Sequence, residues 1–301
     1  MKNKKRHSGN FRLDLLILVL TILLMGAGSS YAQNDLQKGI DIFQQKNYYG
    51  ARKFFNDYLT NHKENAEAYY YLGRIAMEEN GLKQATEYFD KAVDLEGSNS
   101  EYYTWKGIAY VQLLSTVDFM QQAIYAPRAL TALEKAVELD SGNITARMWL
   151  AGYYTNAPSF AGGSEEKTKE QYDAITRIDP AFVPAYVNYG LALMGFEEFD
   201  LAYENFKKSL EYDHENYQVY LFIGELGTKS EKFSTQGEMA LRKFIDLAPE
   251  AFQNDKDEAW WYLGTIFLQA GKTEDARSAY EKATALDPEN EEYQKSLKKL
   301  M

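Results

Sequence analysis

Three features of this sequence predict an all-α fold of stacked helical hairpins. The first is a phrase written twice: Tyr69-Tyr70-Tyr71-Leu72-Gly73 followed by Ala85, Phe89 and Ala92 returns as Trp260-Trp261-Tyr262-Leu263-Gly264 followed by Ala276, Tyr280 and Ala283. An aromatic with Leu-Gly marks a first helix, and Ala-aromatic-Ala a second, at the spacing of a 34-residue helix-turn-helix unit. The second is a recurring register, with units starting near Ala32, Ala66, Ser100, Ile144, Val183, Tyr217 and Asp257. The third is periodicity: Tyr69, Leu72 and Ala76 fall three and four apart on one helical stripe, and no strand-like alternation competes.

The seven units run near 32–65, 66–99, 100–143, 144–182, 183–216, 217–256 and 257–288. Three of the start-to-start intervals are 34 residues; the others are 44, 39 and 40, so three units carry insertions, as loops or lengthened helices. The first unit is signed by Gly39, Ala51 and Phe55, and the fifth by Tyr186, Tyr189, Gly190, Ala202 and Phe206. The sixth is weaker, with Tyr220, Ile223, Gly224, Gly237 and Leu241. Small residues at Gly73, Gly107, Ala151, Gly190, Gly224 and Gly264 sit where the two helices of a hairpin approach, and a bulky residue there costs about 1–3 kcal/mol by overpacking. Asp179-Pro180, Ala248-Pro249 and Asp287-Pro288 stop helices, because Pro disfavours helical geometry in the residue before it. Segment 289–301, with Tyr293, Leu297 and Leu300 on one stripe, reads as a helix capping the last hairpin. The aromatic-Leu-Gly and Ala-aromatic-Ala pattern resembles the tetratricopeptide repeat (TPR). That resemblance implies a right-handed α-solenoid of about seven hairpins, a single elongated domain, and a surface that binds proteins or peptides.

The first 32 residues follow other rules. Lys2, Lys4, Lys5, Arg6 and Arg12 precede an apolar run from Leu13 to Met25, interrupted by Asp14, and Ser30-Tyr31-Ala32 supplies small residues for cleavage. This is a signal peptide cut after Ala32, or, if retained, an anchor. Its ending resembles export signals of Bacteroidota-type bacteria, which implies a periplasmic or secreted protein, held at the inner membrane if the leader stays.

Composition removes whole classes of function. The 301 residues contain no Cys, which excludes disulfides, thiolate metal sites and Cys nucleophiles. The net charge is −11; without residues 1–32, 28 basic and 43 acidic residues leave −15. Such a chain, with no basic cluster in its repeats, repels phosphate backbones, so no nucleic acid is expected. His62 and His214 lack a second His three or four residues away, and neither a metal nor a cofactor is expected. No Gly-x-Ser-x-Gly turn, phosphate loop or His-Glu-x-x-His helix occurs, and no enzyme is read here.

The fourth unit breaks the repeat grammar between Tyr153 and Lys167. Pro158 and Gly162-Gly163 end one helix and turn the chain, and Ser164 with Glu165 and Glu166 caps the next. This Ala-Pro…Gly-Gly-Ser pattern resembles an insertion found in exported bacterial TPR proteins. It reads either as a replacement for a tight turn or as a binding loop.

Partner binding is expected on the groove formed by first helices. The positions facing it are Tyr70, Arg74 and Met77, then Thr104, Ile108 and Val111, then Val187, Leu191 and Met194, with Leu221, Glu225, Trp261, Thr265 and Leu268 beyond. The set is mostly apolar, and suits a hydrophobic or amphipathic peptide. TPR proteins that clamp chaperone tails use Lys, Asn and Arg at such positions; apart from Arg74 those are missing. The same residues also read as core between neighbouring repeats. The sequence therefore points to a non-enzymatic scaffold that docks a protein segment. The alternative is a ligand-binding or accessory protein that uses a cleft near loop 158–164. Self-association through apolar edges of the terminal hairpins is a further expectation.

Overall fold

The computed structural model describes residues 36–300; the leader expected over 1–32 lies outside them. All regular structure among the described residues is helical. The chain divides into two compact units, one ending at Ala146 and the other beginning at Arg147.

The first unit contains α1 (36–44), α2 (Tyr48–Asn61), α3 (Ala66–Glu78), α4 (Leu82–Leu95), α5 (Ser100–Leu114) and α6 (Phe119–Leu139). Helix α7 (Ile144–Asn156) begins at its end. Asn side chains start α2, α3, α5 and α7: Asn47 accepts from the Gly50 amide, Asn65 from Ala68, Asn99 from Glu101 and Tyr102, and Asn143 from Ala146. Each satisfies an amide that has no partner inside its helix.

Helices α3 and α4 show how a hairpin closes. Ala85, Phe89 and Ala92 are fully buried on α4, and a Cβ added at Gly73 would stand 2.6 Å from the Phe89 ring. Glycine is what lets that ring lie against the backbone of α3. Between hairpins the tyrosines do the packing: Tyr70 stacks on Tyr102 at 5.0 Å, and Phe55 on Tyr71 at 5.3 Å. The 44-residue interval is taken up by α6, which is 21 residues long against 14 for α4 and contains Pro127.

The second unit contains α8 (Glu165–Ile178), α9 (Val183–Gly195), α10 (Phe199–Tyr212), α11 (Tyr217–Lys229), α12 (Ser234–Leu247), α13 (Lys256–Gln269), α14 (Thr273–Leu286) and α15 (Glu291–Lys298). Helices α8, α12 and α14 end one residue before Asp179, Ala248 and Asp287, the residues that precede proline. Helix α15 closes the last hairpin. Tyr293 is buried there and donates to Asp257 at 3.2 Å, Trp261 donates from Nε1 to the Ser296 hydroxyl at 3.1 Å, and Arg277 reaches the Leu300 carbonyl at 2.6 Å. Among the described residues no helix is long and apolar enough to cross a membrane.

Candidate functional site

In the first unit the first helices α1, α3 and α5 stand side by side, and one cation ties them together. The Arg74 guanidinium lies 3.5 Å over the Trp105 ring on α5 and 5.6 Å from the Phe43 ring on α1. Cation–π contacts of this kind are worth about 0.5–2 kcal/mol, depending on desolvation. Arg74 also donates from Nη1 to the Tyr70 hydroxyl at 2.7 Å, and that hydroxyl donates to Glu101 at 2.5 Å. A relay Arg74–Tyr70–Glu101 thus joins α3 to the first turn of α5. Burial is the main cause that pushes the Tyr70 phenol far above its ordinary range, with the Glu101 carboxylate adding to it.

Beside this relay is an open cleft of about 520 Å³, lined by Arg74, Asn99, Ser100, Glu101, Thr104, Trp105, Asp140, Asn143 and Thr145. Its floor is a hydrogen-bonded set between α5 and the α6–α7 turn. Asn143 donates to the Ser100 and Thr104 hydroxyls at 2.9 and 3.0 Å, and Ser100 donates to the Ala136 carbonyl at 2.9 Å. The cleft is therefore held in shape before anything enters it. Its lining carries one cation and two carboxylates, Glu101 and Asp140. Glu67, one turn from Tyr70 on α3, is raised above the usual carboxylate range, first by burial and then by repulsion from Glu96 and Glu101. Negative charge is concentrated at this end of the unit.

The predicted groove residues divide. Arg74 lines the cleft, and Met77 and Val111 are half-buried. Tyr70 and Ile108 are buried in the first unit, and Met194 and Leu221 in the second; these four are core, not surface. The reason is crowding, since a first helix meets its own hairpin partner and the helices of adjacent hairpins, which leaves only a narrow free strip. Val187 and Leu191 are half-buried and Leu268 is exposed. Trp261 is half-buried, and its indole nitrogen is engaged by α15. The apolar groove expected at Thr104 and Ile108 is instead a polar cleft. Trp105, Glu101, Asp140 and Asn143 were missing from the expected set, because Asn143 meets Ser100 across 43 residues of sequence and no local pattern records that contact.

The loop of the fourth unit is ordered. A short 3-10 turn spans Ser159–Ala161, Gly162 takes φ +98°, Tyr153 donates to the Ala161 carbonyl at 2.8 Å and the Ser164 amide to the Tyr154 carbonyl at 3.0 Å. Ser164 caps α8 by accepting from the Lys167 amide. Phe160 stands at the tip, 82% exposed. His62 stacks on Tyr58 at 4.1 Å, and no group of His, Asp and Glu among the described residues is arranged to hold a metal.

Tetratricopeptide repeat models match residues 36–102, 183–216 and 257–290. The TPR repeat-containing protein MJ1428 of Methanocaldococcus jannaschii is 26% identical over 276 residues, 91% of this chain and 40% of that protein. The mitochondrial import receptor subunit TOM70 of Mus musculus is 23% identical over 280 residues, 92% of this chain and 41% of that protein. The chain thus spans about two fifths of the length of these curated relatives. Among solved structures, the C-terminal part of a TPR repeat-containing protein from Cytophaga hutchinsonii has a TM-score of 0.68 at 17% identity, over 87% of this chain and 99% of that one. YrrB, described as a TPR protein with an unusual peptide-binding site, has a TM-score of 0.50 at 21% identity, over 62% of this chain and 88% of that one. At these identities the structural likenesses establish the fold, and the chain carries tetratricopeptide repeats in an α-solenoid arrangement. Scaffolds of this kind mediate protein–protein interactions and are generally non-enzymatic.

Proposed function

We propose that this protein is a non-enzymatic scaffold of the bacterial cell envelope that docks a segment of a partner protein in the cleft between α5 and the α6–α7 turn. The observation that carries the reading is the preformed cleft beside the Arg74–Trp105 stack, with a hydrogen-bonded floor and an acidic lining. The peptide-binding site ascribed to YrrB is a precedent for peptide capture by a protein of the same fold. Because Arg74 is already covered by Trp105 and bonded to Tyr70, the charges left for a ligand are Glu101 and Asp140. A segment bearing Lys or Arg fits them best, and its binding weakens as salt rises.

Cross-linked capture from the native cell envelope tests this, comparing the wild type with a Glu101→Lys, Asp140→Lys form. A protein retained by the first and lost by the second supports docking at this cleft; identical captured sets overturn it. Export rests on the basic, apolar and small-residue order of residues 1–32. N-terminal sequencing of the envelope protein should begin at Gln33; an intact Met1 end would leave the leader as an anchor. A second reading follows from Phe160, a large apolar side chain held out on an ordered loop, as an accessory contact for an enzyme or transporter. It predicts that Phe160→Ser abolishes a partner that the cleft variant keeps.

A further inference from the structure

The long second helix of the third hairpin does something the repeat does not require. Ala129, Leu133 and Ala136 of α6 stand where Ala85, Phe89 and Ala92 stand in α4, so a helix of ordinary length would begin near Ala126. Helix α6 begins at Phe119 instead, which extends it by about seven residues, or about 10 Å. The extension is anchored: Asp118 caps it by accepting from the Gln121 amide, Gln122 donates to the Leu114 carbonyl at 3.0 Å, and Tyr125 packs on Tyr110 at 5.8 Å.

With the polar side tied down, the other side is free. Phe119, Met120, Ala123, Ile124 and Pro127 fall within an arc of about 140° on the helical wheel. Phe119 is 73% exposed, Met120 79% and Ile124 55%, and Ala123 and Pro127 are exposed too. Residues 119–127 carry no charge.

We propose that this overhang is a self-association surface, on which the α6 extension of a second copy packs antiparallel about a two-fold axis at Ala123. Two observations favour a second copy. A chain of net charge −11 repels its own kind over most of its surface, and residues 119–127 form an uncharged interruption of it where two copies can approach. The arc is self-complementary: pairing about Ala123 brings Phe119 of one copy onto Pro127 of the other, with small Ala123 at the centre allowing close approach, as an isologous contact requires. Two turns of helix offer on the order of 400 Å² per copy, about half of what a standard stable interface buries, so the dimer is reversible and weak. A lipid surface fits less well, because interfacial helices carry Lys and Arg on their polar face and this stretch has neither.

The test uses the whole chain in sedimentation velocity from about 5 to 500 µM at physiological salt. A monomer–dimer equilibrium is expected, weakened at least tenfold by Met120→Asp or Ile124→Asp with helical content unchanged, since both side chains are exposed. The chain has no Cys, so Ala123→Cys introduces its only thiol and, with copper–phenanthroline and oxygen as the oxidant, should form a disulfide-linked dimer, whereas Gln121→Cys on the opposite side should not. Monomer throughout, a dimer indifferent to Met120→Asp, or equal cross-linking at 121 and 123 would overturn the proposal. So would a monomer that sediments with zwitterionic lipid vesicles and loses that binding in Met120→Asp, which would assign the surface to lipid.

Discussion

Tyr70→Phe removes one oxygen atom and two hydrogen bonds, and the consequences are calculable. The ring is buried and stacked on Tyr102 at 5.0 Å, so the packing stays. What is lost is the acceptor for Arg74 at 2.7 Å and the donor to Glu101 at 2.5 Å. Hydrogen bonds to charged partners are worth about 1.5–3 kcal/mol each, but Glu101 is exposed and Arg74 half-buried, so water replaces part of the loss. A net cost of about 1–2 kcal/mol follows, a factor of about 5–30 in local opening. Repeat arrays do not unfold as one unit, so the assay is native-state hydrogen exchange resolved by helix. Amides of α3 and α5 should exchange about 5- to 30-fold faster, and those of α13 and α14 at the wild-type rate. Glu101→Gln in the same background should add little, since its partner is already gone. Unchanged exchange in α3 and α5, or full additivity of the two substitutions, would refute the relay.

Stability should fall as pH rises above about 10, the ordinary phenol value. Burial, the largest cause at each position, pushes Tyr172 and Tyr189 up to about 12 and Tyr70, Tyr102, Tyr262 and Tyr293 higher still. The unfolded chain then ionises before the folded one, so stability that is full below pH 10 is lost through the folded values; tyrosinate absorbance should rise together with helix loss. The same sign holds for Glu67 in a lower pH window, since its raised carboxyl makes the charged form unfavourable at neutral pH. Glu67→Gln should raise the Tm at pH 7, by an amount that vanishes as pH falls to the ordinary carboxylate value, and no gain at pH 7 would contradict the repulsion. Gly163→Ala places a Cβ 1.7 Å from the Ala157 carbonyl oxygen, which cannot yield without moving backbone, so a cost of about 1–3 kcal/mol and faster exchange of the Ser164 amide are expected. Trp261→Glu should release α15 by breaking the Ser296 bond and the 5.9 Å contact with Tyr293; limited proteolysis should then remove the C-terminal helix first.

Helix ends were the most legible part of this chain, because they are written by local chemistry. Ser164 caps α8 with its own side chain, and Pro180, Pro249 and Pro288 bar the preceding residue from helical geometry. The hairpin contact was legible for the same kind of reason, since Gly73 opposite Phe89 is a steric requirement that any chain of this shape must meet. The cleft was only half legible. Arg74 stood out as the lone cation of the expected groove, but its place between Phe43 and Trp105 depends on three helices lying side by side.

By itself, then, the sequence determined that this protein is an array of helical hairpins and where α8, α12 and α14 stop, since periodicity and prolines act within a few residues. Tertiary structure decided which face of each helix stayed free. It buried Tyr70, Ile108, Met194 and Leu221, set Asn143 against Ser100 to floor a polar cleft, and left Phe119, Met120 and Ile124 uncovered on α6. A helical stripe records which residues share a side, and only the packing of neighbouring helices determines what covers that side.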